Sequence, residues 1–586
     1  MKRRRPSKAP PIKSAARQVV PWILVGAVAL VLTAIIRRDR IQPPDTYQPR
    51  PTGHVTYGAS IASIVQRRCV PCHQPGQAGP FPLLTYQDVR KRAADIARVT
   101  AERTMPPWLP GGKGVKLIGE RRLSNEELGL IQQWIADGTP EGPAITAAPL
   151  TGTNEWHLGR PDLVVAMPKA FLVPAEGSDL YRNFVVPMPV TNRRHVKGIE
   201  FKPGNARVVH HAFLKVDSTD ESRSADAADA EVGFEGMDPN ATTPGGHFLG
   251  WQPGQLPEFV PEGLAWVLEP GNDLVLEMHL NPSGKTEEVQ ASVGFYFSDR
   301  APTNTCFKVY LTSYVFEIPA GAQNHAVEDS YTLPVAVQAL AILPHAHYLG
   351  KEMSAWATLP NGRRLDLLYI PQWDFNWQGS YRFAKAVDLP KGTRLQMRFT
   401  YDNSTNNLKN PHRPPRTVAY GSQSVDEMAE LWLQVLPRSP AELGVLKRDF
   451  EARMARLYEE HDRHDLARDP ANPKFHNDLA MLLLSEGRLD EAALHFRAAI
   501  QSRNDFEPAH YGLGLVLRRQ NQPALAILEF QMSLRLNPAN FKSHGNLGFI
   551  FLEQGEREAA RRHFEGALQL NPNDPVARDG LKEALK

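Results

Sequence analysis

The sequence predicts a multidomain chain with an N-terminal transmembrane helix, a small α-helical domain, two β-sandwiches and a C-terminal α-solenoid. Three observations predict it. An uncharged run of 18 residues spans Val19 to Ile36, Pro and Gly cut the middle of the chain into short β-type runs, and the C-terminal stretch repeats every 34 positions. At 586 residues the chain exceeds one core, and about 150 residues per domain suggests roughly four domains.

Residues 1–18 form a basic tail, and 19–36 are about long enough to span a bilayer core. Seven Lys or Arg residues precede the run and three (Arg37, Arg38, Arg40) follow it. Positive charge is retained on the cytoplasmic side. The expectation is a single-pass anchor in the cytoplasmic (inner) membrane, with the N-terminus cytoplasmic and the body in the periplasm or extracytoplasmic space. A cleaved signal peptide is the rival reading, but Ile35-Ile36-Arg37-Arg38 follows the apolar core where small residues would be needed. Residues 40–56 are Pro-rich and polar, a linker standing the body off the membrane.

Residues 57–142 read as short helices: Ile61 to Arg68, Tyr86 to Arg103, and Ser124 to Ala136, the last opening with a capping box of Ser124 and Glu127. Cys69-Val-Pro-Cys72-His73 is the attachment sequence of a c-type haem: two thiols three positions apart each add to a vinyl group and His73 ligates iron. A zinc pair or a redox Cys-x-x-Cys is the alternative, but zinc would need further ligands nearby and a thioredoxin-like site a βαβ pattern. The segment resembles a small bacterial cytochrome c domain. That resemblance implies one covalently attached haem c, with Met105 of Thr104-Met105-Pro-Pro-Trp108 as second axial ligand; His54 and a core role for Met105 are the alternatives. A thioether ligand raises the haem potential and suits electron transfer.

From 156 to 437 the runs Phe184-Val-Val, Leu274-Val-Leu-Glu-Met, Val293-Gly-Phe-Tyr-Phe and Leu395-Gln-Met-Arg-Phe-Thr-Tyr lie between turn signals. That spacing argues for β-sandwiches, one over 156–300 and another over 301–437. A helical connector over 440–468 leads to three units over 473–586, beginning at 473, 507 and 541. In them position 8 is Ala480, Gly514 and Gly548, position 20 is Ala492, Ala526 and Ala560, and position 24 is Phe496, Phe530 and Phe564. This resembles the tetratricopeptide repeat, in which small residues let two helices pack closely and an aromatic fills the gap. The array implies a protein or peptide partner. A net charge of +3 without a basic stripe makes nucleic acid a poor partner. Of three cysteines two belong to the haem motif, so Cys306 stands alone and no internal disulfide is expected.

Five imidazoles and one thioether carry the remaining chemistry: His210, His211, His279, His345, His347 and Met428. The mixture suits copper better than zinc, because sulfur favours Cu(I) and imidazole serves both oxidation states. His345 and His347 on one strand share a face, whereas the neighbours His210 and His211 point to opposite faces unless the backbone bends. Residues 180–436 resemble the type II copper, ascorbate-dependent monooxygenases, the family of dopamine β-monooxygenase and peptidylglycine α-hydroxylating monooxygenase. The resemblance rests on His210-His211, Met278-His279-Leu-Asn-Pro, Pro344-His345-Ala-His347-Tyr-Leu-Gly-Lys351, and Tyr401-Asp-Asn-Ser through Asp426-Glu-Met428. It implies two jelly-roll sandwiches with two copper ions: His210, His211 and His279 hold the electron-transfer copper, while His345, His347 and Met428 hold the one where O2 meets substrate.

There are departures. Family members carry disulfides that this chain cannot form, and the amidating branch has Arg where this chain has Leu343, and Asn and Tyr where it has Glu430 and Trp432. A peptide C-terminus is therefore a poor substrate expectation. The implied activity is a copper-dependent monooxygenase: one oxygen atom of O2 enters a C–H bond of a small-molecule substrate. The electrons come from an ascorbate-like reductant or a periplasmic carrier through the fused cytochrome. The competing expectation is a non-catalytic, membrane-tethered haem and copper electron-transfer or scaffold protein that recruits a partner through its repeats.

Overall fold

The computed structural model describes residues 47–75, 77, 79–143, 156–177, 179–219, 221–236, 241–572 and 574–586. The expected basic tail, the anchor at 19–36 and most of the first linker lie outside those residues. Among the described residues no helix is long and apolar enough to cross a membrane. The chain divides into two compact units.

The smaller unit takes its described residues from 47–75, 81–107 and 121–143. A π-turn at Tyr57–Ile61 runs into the helix Ala62–Arg68, and Thr56 caps the turn through the amide of Ala59. Helices Tyr86–Lys91 and Ala93–Ala101 follow, broken at Arg92, so the expected single stretch is two helices. Asn125–Ala136 starts from the capping box of Ser124 and Glu127, as expected. Val55, Ile61, Val65, Val89, Ile131 and Trp134 form the core. The unit is helical, but a cytochrome c fold is not evident in it.

The larger unit takes its described residues from 77, 79–80, 108–120 and the stretch from 156 onward. The stretch 57–142 is thus not one piece. The reason is edge pairing: Gly111 N–H donates to Tyr369 O at 2.7 Å, Val115 N–H to Asp366 O at 3.1 Å and Ala384 N–H to Lys116 O at 2.8 Å. These bonds satisfy amides that would otherwise lie exposed on a strand edge.

In the β-rich middle, one five-stranded antiparallel sheet runs in the order Phe234–Glu235, Leu180–Pro187, Asp273–Leu280, Val209–Asp217, Gly250–Trp251. A four-stranded sheet of Leu163–Ala166, Ser292–Phe297, Arg194–Lys202 and Trp266–Leu268 shares its core, which includes Phe184, Leu214, Leu276, Val293 and Phe295. A second pair of four-stranded sheets follows. One runs Phe307–Thr312, Glu430–Pro437, Val337–His345, Tyr381–Leu389, and the other runs His325–Thr332, Arg394–Tyr401, Gly350–Thr358, Arg364–Ile370. Their core includes Val309, Ile342, Met353, Phe399 and Leu433. Strand Glu430–Pro437 alternates half-buried and buried residues along its whole length, the period of two that a strand with one core-facing side must have.

Helix Pro440–Arg468, capped by Ser439, lays Leu446, Phe450 and Met454 onto this second core. Paired helices Pro473–Ser485 and Leu489–Ser502, Glu507–Arg519 and Pro523–Leu536, Phe541–Glu553 and Arg557–Leu570 then stack, closed by Pro575–Ala584. The helix starts at 473, 507 and 541 coincide with the sequence period. A methyl group on Gly514 would stand 2.7 Å from the ring of Phe530, and one on Gly548 2.7 Å from Phe564, so the small residue is what admits each aromatic.

Candidate metal centres

Strands Val209–Asp217 and Asp273–Leu280 pair in register from Ala212↔Met278 to Asp217↔Asp273, but the register shifts between Val209 and His211. The partners there are Val209↔Leu280 and His211↔His279, so His210 is the extra residue of a β-bulge. This is the bend that the adjacent pair needs. It turns His210 to the same side as His211 and His279 instead of the opposite face. His210 Nδ1 then stands 3.1 Å from His211 Nδ1 and 3.0 Å from His279 Nδ1. Two nitrogens on one ion at about 2.0 Å are roughly 3.3 Å apart at the tetrahedral angle, so these two edges are slightly tighter than in a loaded site, and the ligand atoms of all three rings lie within 4.8 Å of one another.

The surroundings hold the trio in place. His279 Nε2 lies 3.0 Å from Asp179 Oδ2, which directs Nδ1 toward the other two rings. Tyr181 stacks on His279 at 4.3 Å and 11°. Burial, and secondarily the nearby His279, push the His210 imidazole down to about 4, and burial holds His211 well below the usual histidine range. Neutral imidazoles are what a metal requires. His210 Nε2 is buried with no hydrogen-bond partner. Among the described residues these three histidines are the only group of three or more His, Cys, Asp or Glu side chains arranged to hold an ion.

The second cluster sits on the other sandwich. His345 ends strand Val337–His345, and the chain turns there through Ala346 to His347. His345 Nδ1 donates to Gln378 Oε1 at 2.6 Å and His347 Nδ1 to the carbonyl of Asp426 at 3.2 Å. Both rings therefore keep Nε2 as the free lone pair. Their centroids are 5.2 Å apart at 83°. Burial, then His345, lowers the His347 imidazole to about 3.

Met428 lies two residues before strand Glu430–Pro437, whose Glu430 is paired with His345. Its amide donates to Glu427 Oε1 at 2.9 Å, and its carbonyl accepts from Tyr401 Oη at 2.7 Å. The same Glu427 carboxyl accepts the amide of His347 and, at 2.9 Å, the amide of Leu349. One fully buried side chain thus ties the His-x-His turn to the methionine segment. Burial raises its pKa to about 8 against the three amides that favour the anion. The Phe375 ring lies 5.6 Å from His210 and 5.5 Å from His347, so a single aromatic separates the two clusters. Sequence reasoning missed Asp179, Phe375, Gln378 and Glu427. Only Glu427 carried a signal, as the neighbour of Met428.

In the smaller unit Cys69 caps helix Ala62–Arg68, and the amides of Cys72 and His73 return to the Cys69 carbonyl at 3.1 and 2.9 Å. The turn sets both thiols and His73 on one short bend. His73 Nδ1 donates to Phe81 O at 3.0 Å, which leaves Nε2 for a ligand. Burial pushes the Cys69 thiol up to about 12 and also raises Cys72, as for unreacted thiols in an apolar setting. Met105 is half-buried in the same unit, its amide donating to Val99 O at 3.2 Å. Glu430 is half-buried and accepts from Trp432 Nε1 at 3.1 Å.

A model of the tetratricopeptide repeat family matches residues 462–506 and 511–575. No curated protein matches. Among solved structures the chain is similar to the APC/C hetero-tetramer Cut9-Hcn1, with 21% identity, 24% of this chain and 28% of that chain covered, and a TM-score of 0.22. It is also similar to the first TPR of Spaghetti (RPAP3) bound to an HSP90 peptide, with 18% identity, 20% of this chain and 90% of that chain covered, and a TM-score of 0.19. The C-terminal region carries tetratricopeptide repeats, and these suggest a protein or peptide partner.

Proposed function

We propose that the β body is a two-copper oxidoreductase, in its finer form a monooxygenase acting on a small molecule. The observation that carries this reading is the trio of Nδ1 atoms gathered by the bulge at His210, with a second, Nε2-presenting pair across Phe375. Copper bound at these residues would supply one-electron chemistry and the activation of O2. The chain's own part is to prepare the ligands. Asp179 aims His279, Gln378 and the Asp426 carbonyl fix the tautomers of His345 and His347, and Glu427 holds the methionine segment against the His-x-His turn. Phe375 packs against a ring of each cluster. The thiols Cys69 and Cys72 with His73 would hold haem c, with Met105 the expected second ligand, and would pass electrons from a donor. The N-terminal run at 19–36 would anchor the chain to the inner membrane.

The test is oxygen consumption by the copper-loaded full chain against a panel of amines, phenols and peptides, with ascorbate as donor. Consumption that depends on substrate and is lost in His347→Ala supports the reading; none with any substrate contradicts it. For the haem relay, Cys72→Ala should abolish turnover driven by a periplasmic carrier and spare turnover with ascorbate. Equal loss with both donors refutes the relay.

A second reading is a scaffold that gathers a partner on its repeats, with a β body that binds metal without catalysis. The repeat-family match over 462–506 and 511–575 favours it. Copper bound at both clusters with no oxygen consumed would select this reading.

A further inference from the structure

Histidines also recur along the repeat array. His476, His510 and His544 stand 34 residues apart, at the fourth position of each unit and on its first helix. On each second helix, 19 residues later, the facing side chain is His495, Glu529 or His563. The contacts repeat as well. His476 Nδ1 is 3.0 Å from His495 Nδ1, His544 Nδ1 is 3.1 Å from His563 Nδ1, and His510 Nδ1 is 2.7 Å from Glu529 Oε2.

The outer nitrogens set the tautomers. His476 Nε2 donates to Pro470 O and His510 Nε2 to Asn504 O, each at 3.0 Å. A neutral ring that donates from Nε2 presents a bare lone pair at Nδ1. In the first unit, then, a lone pair is held against His495 Nδ1 by the backbone contact on the far side of the ring; in the second, His510 Nδ1 shares a proton with the Glu529 carboxylate, and an ion seated there would displace that proton. Donors 3.0–3.1 Å apart subtend about 95° at an ion roughly 2.05 Å from each; the His510–Glu529 pair subtends about 80°. These are cis angles of a tetragonal N,O site, the geometry of divalent copper.

We propose that the repeat array is a rack of three two-ligand seats for Cu(II): His476 with His495, His510 with Glu529, and His544 with His563. Each seat supplies two protein ligands and leaves the remaining positions to water, so the ion it holds is exchangeable. The proposal does not depend on the β body being an enzyme.

The test uses the full chain, titrated with Cu(II) in a non-coordinating buffer and followed by equilibrium dialysis and electron paramagnetic resonance. The double variant His476→Gln with His544→Gln should bind two equivalents fewer than the parent, and Glu529→Gln one fewer. His211→Ala with His279→Ala should lose copper from the β body and keep all three rack equivalents, so a failure of either assignment is recognised separately. Unchanged stoichiometry and spectra in the rack variants would overturn the proposal and leave these pairs as hydrogen bonds alone. Should the double variant not fold, as judged by circular dichroism, Glu529→Gln decides the matter.

Discussion

The bulge at His210 is the smallest feature on which the proposed metal chemistry depends. Regular pairing would put its ring on the face opposite His211, and no ion could reach both. The residue types and their order were legible in the sequence; the bulge was not, because an extra residue in a strand leaves no mark on composition or period. The carboxylates behind the ligands were equally hidden. Asp179 reaches His279 from 100 positions away, and Glu427 was marked only by its place beside Met428. Its removal is a sharp test. Glu427→Ala leaves three amides without an acceptor, two of them buried with His347 and Leu349, and should cost about 3 kcal/mol or more. It should also weaken copper at His345 and His347 while sparing the trio. Thermal melts and metal titration read both effects; loss at the trio instead would contradict the account. Acidity gives another test. His210 is lowered to about 4 and His347 to about 3 when folded, against about 6.5 unfolded. Below pH 6.5 the unfolded chain takes up protons that the folded one refuses, so metal-free stability is full above that value. It falls, by a few kcal/mol, as pH drops toward 4. Melts of the metal-free chain from pH 7.5 to 4.5 check this. His210→Asn should flatten part of the slope, and an unchanged slope would count against a buried, neutral ring.

At the scale of elements the sequence was most readable where a period is long and repeated. Three helical pairs begin where the 34-residue spacing placed them, because small residues on the first helix of a unit admit the aromatic of its own second helix and that of the preceding unit. Gly512 tests this. Alanine in a helix is favoured over glycine by about 1 kcal/mol, yet a methyl group there would lie 2.2 Å from the buried ring of Phe496. Overpacking at about 1–3 kcal/mol outweighs that gain, so Gly512→Ala should lower the melting temperature. A rise would show that the ring can yield. The smaller unit was less readable. Its capping box at Ser124 lies where the motif stands, but residues 108–120 join the larger unit through edge amides. Backbone pairing of that kind carries no side-chain signature, so the run past Met105 could not be assigned from sequence.

Across the whole molecule the chain joins a cysteine-histidine turn, two histidine clusters and a repeat array. The repeats match a known family, and they point to a protein or peptide partner. The redox assignments rest on residues that the fold gathers. Loss of the partner surface should leave copper at the β body unchanged: a chain ending at Arg468, the last residue of the connector helix, should retain both β-body ions by metal analysis. Loss of either would mean that the array supports the sandwiches. The most direct test of the account is anomalous diffraction at the copper edge from crystals of the full chain soaked with copper. The account predicts one peak enclosed by Nδ1 of His210, His211 and His279, and another at Nε2 of His345 and His347 with the sulfur of Met428. Crystals that take up copper elsewhere and show no density at either place would contradict it.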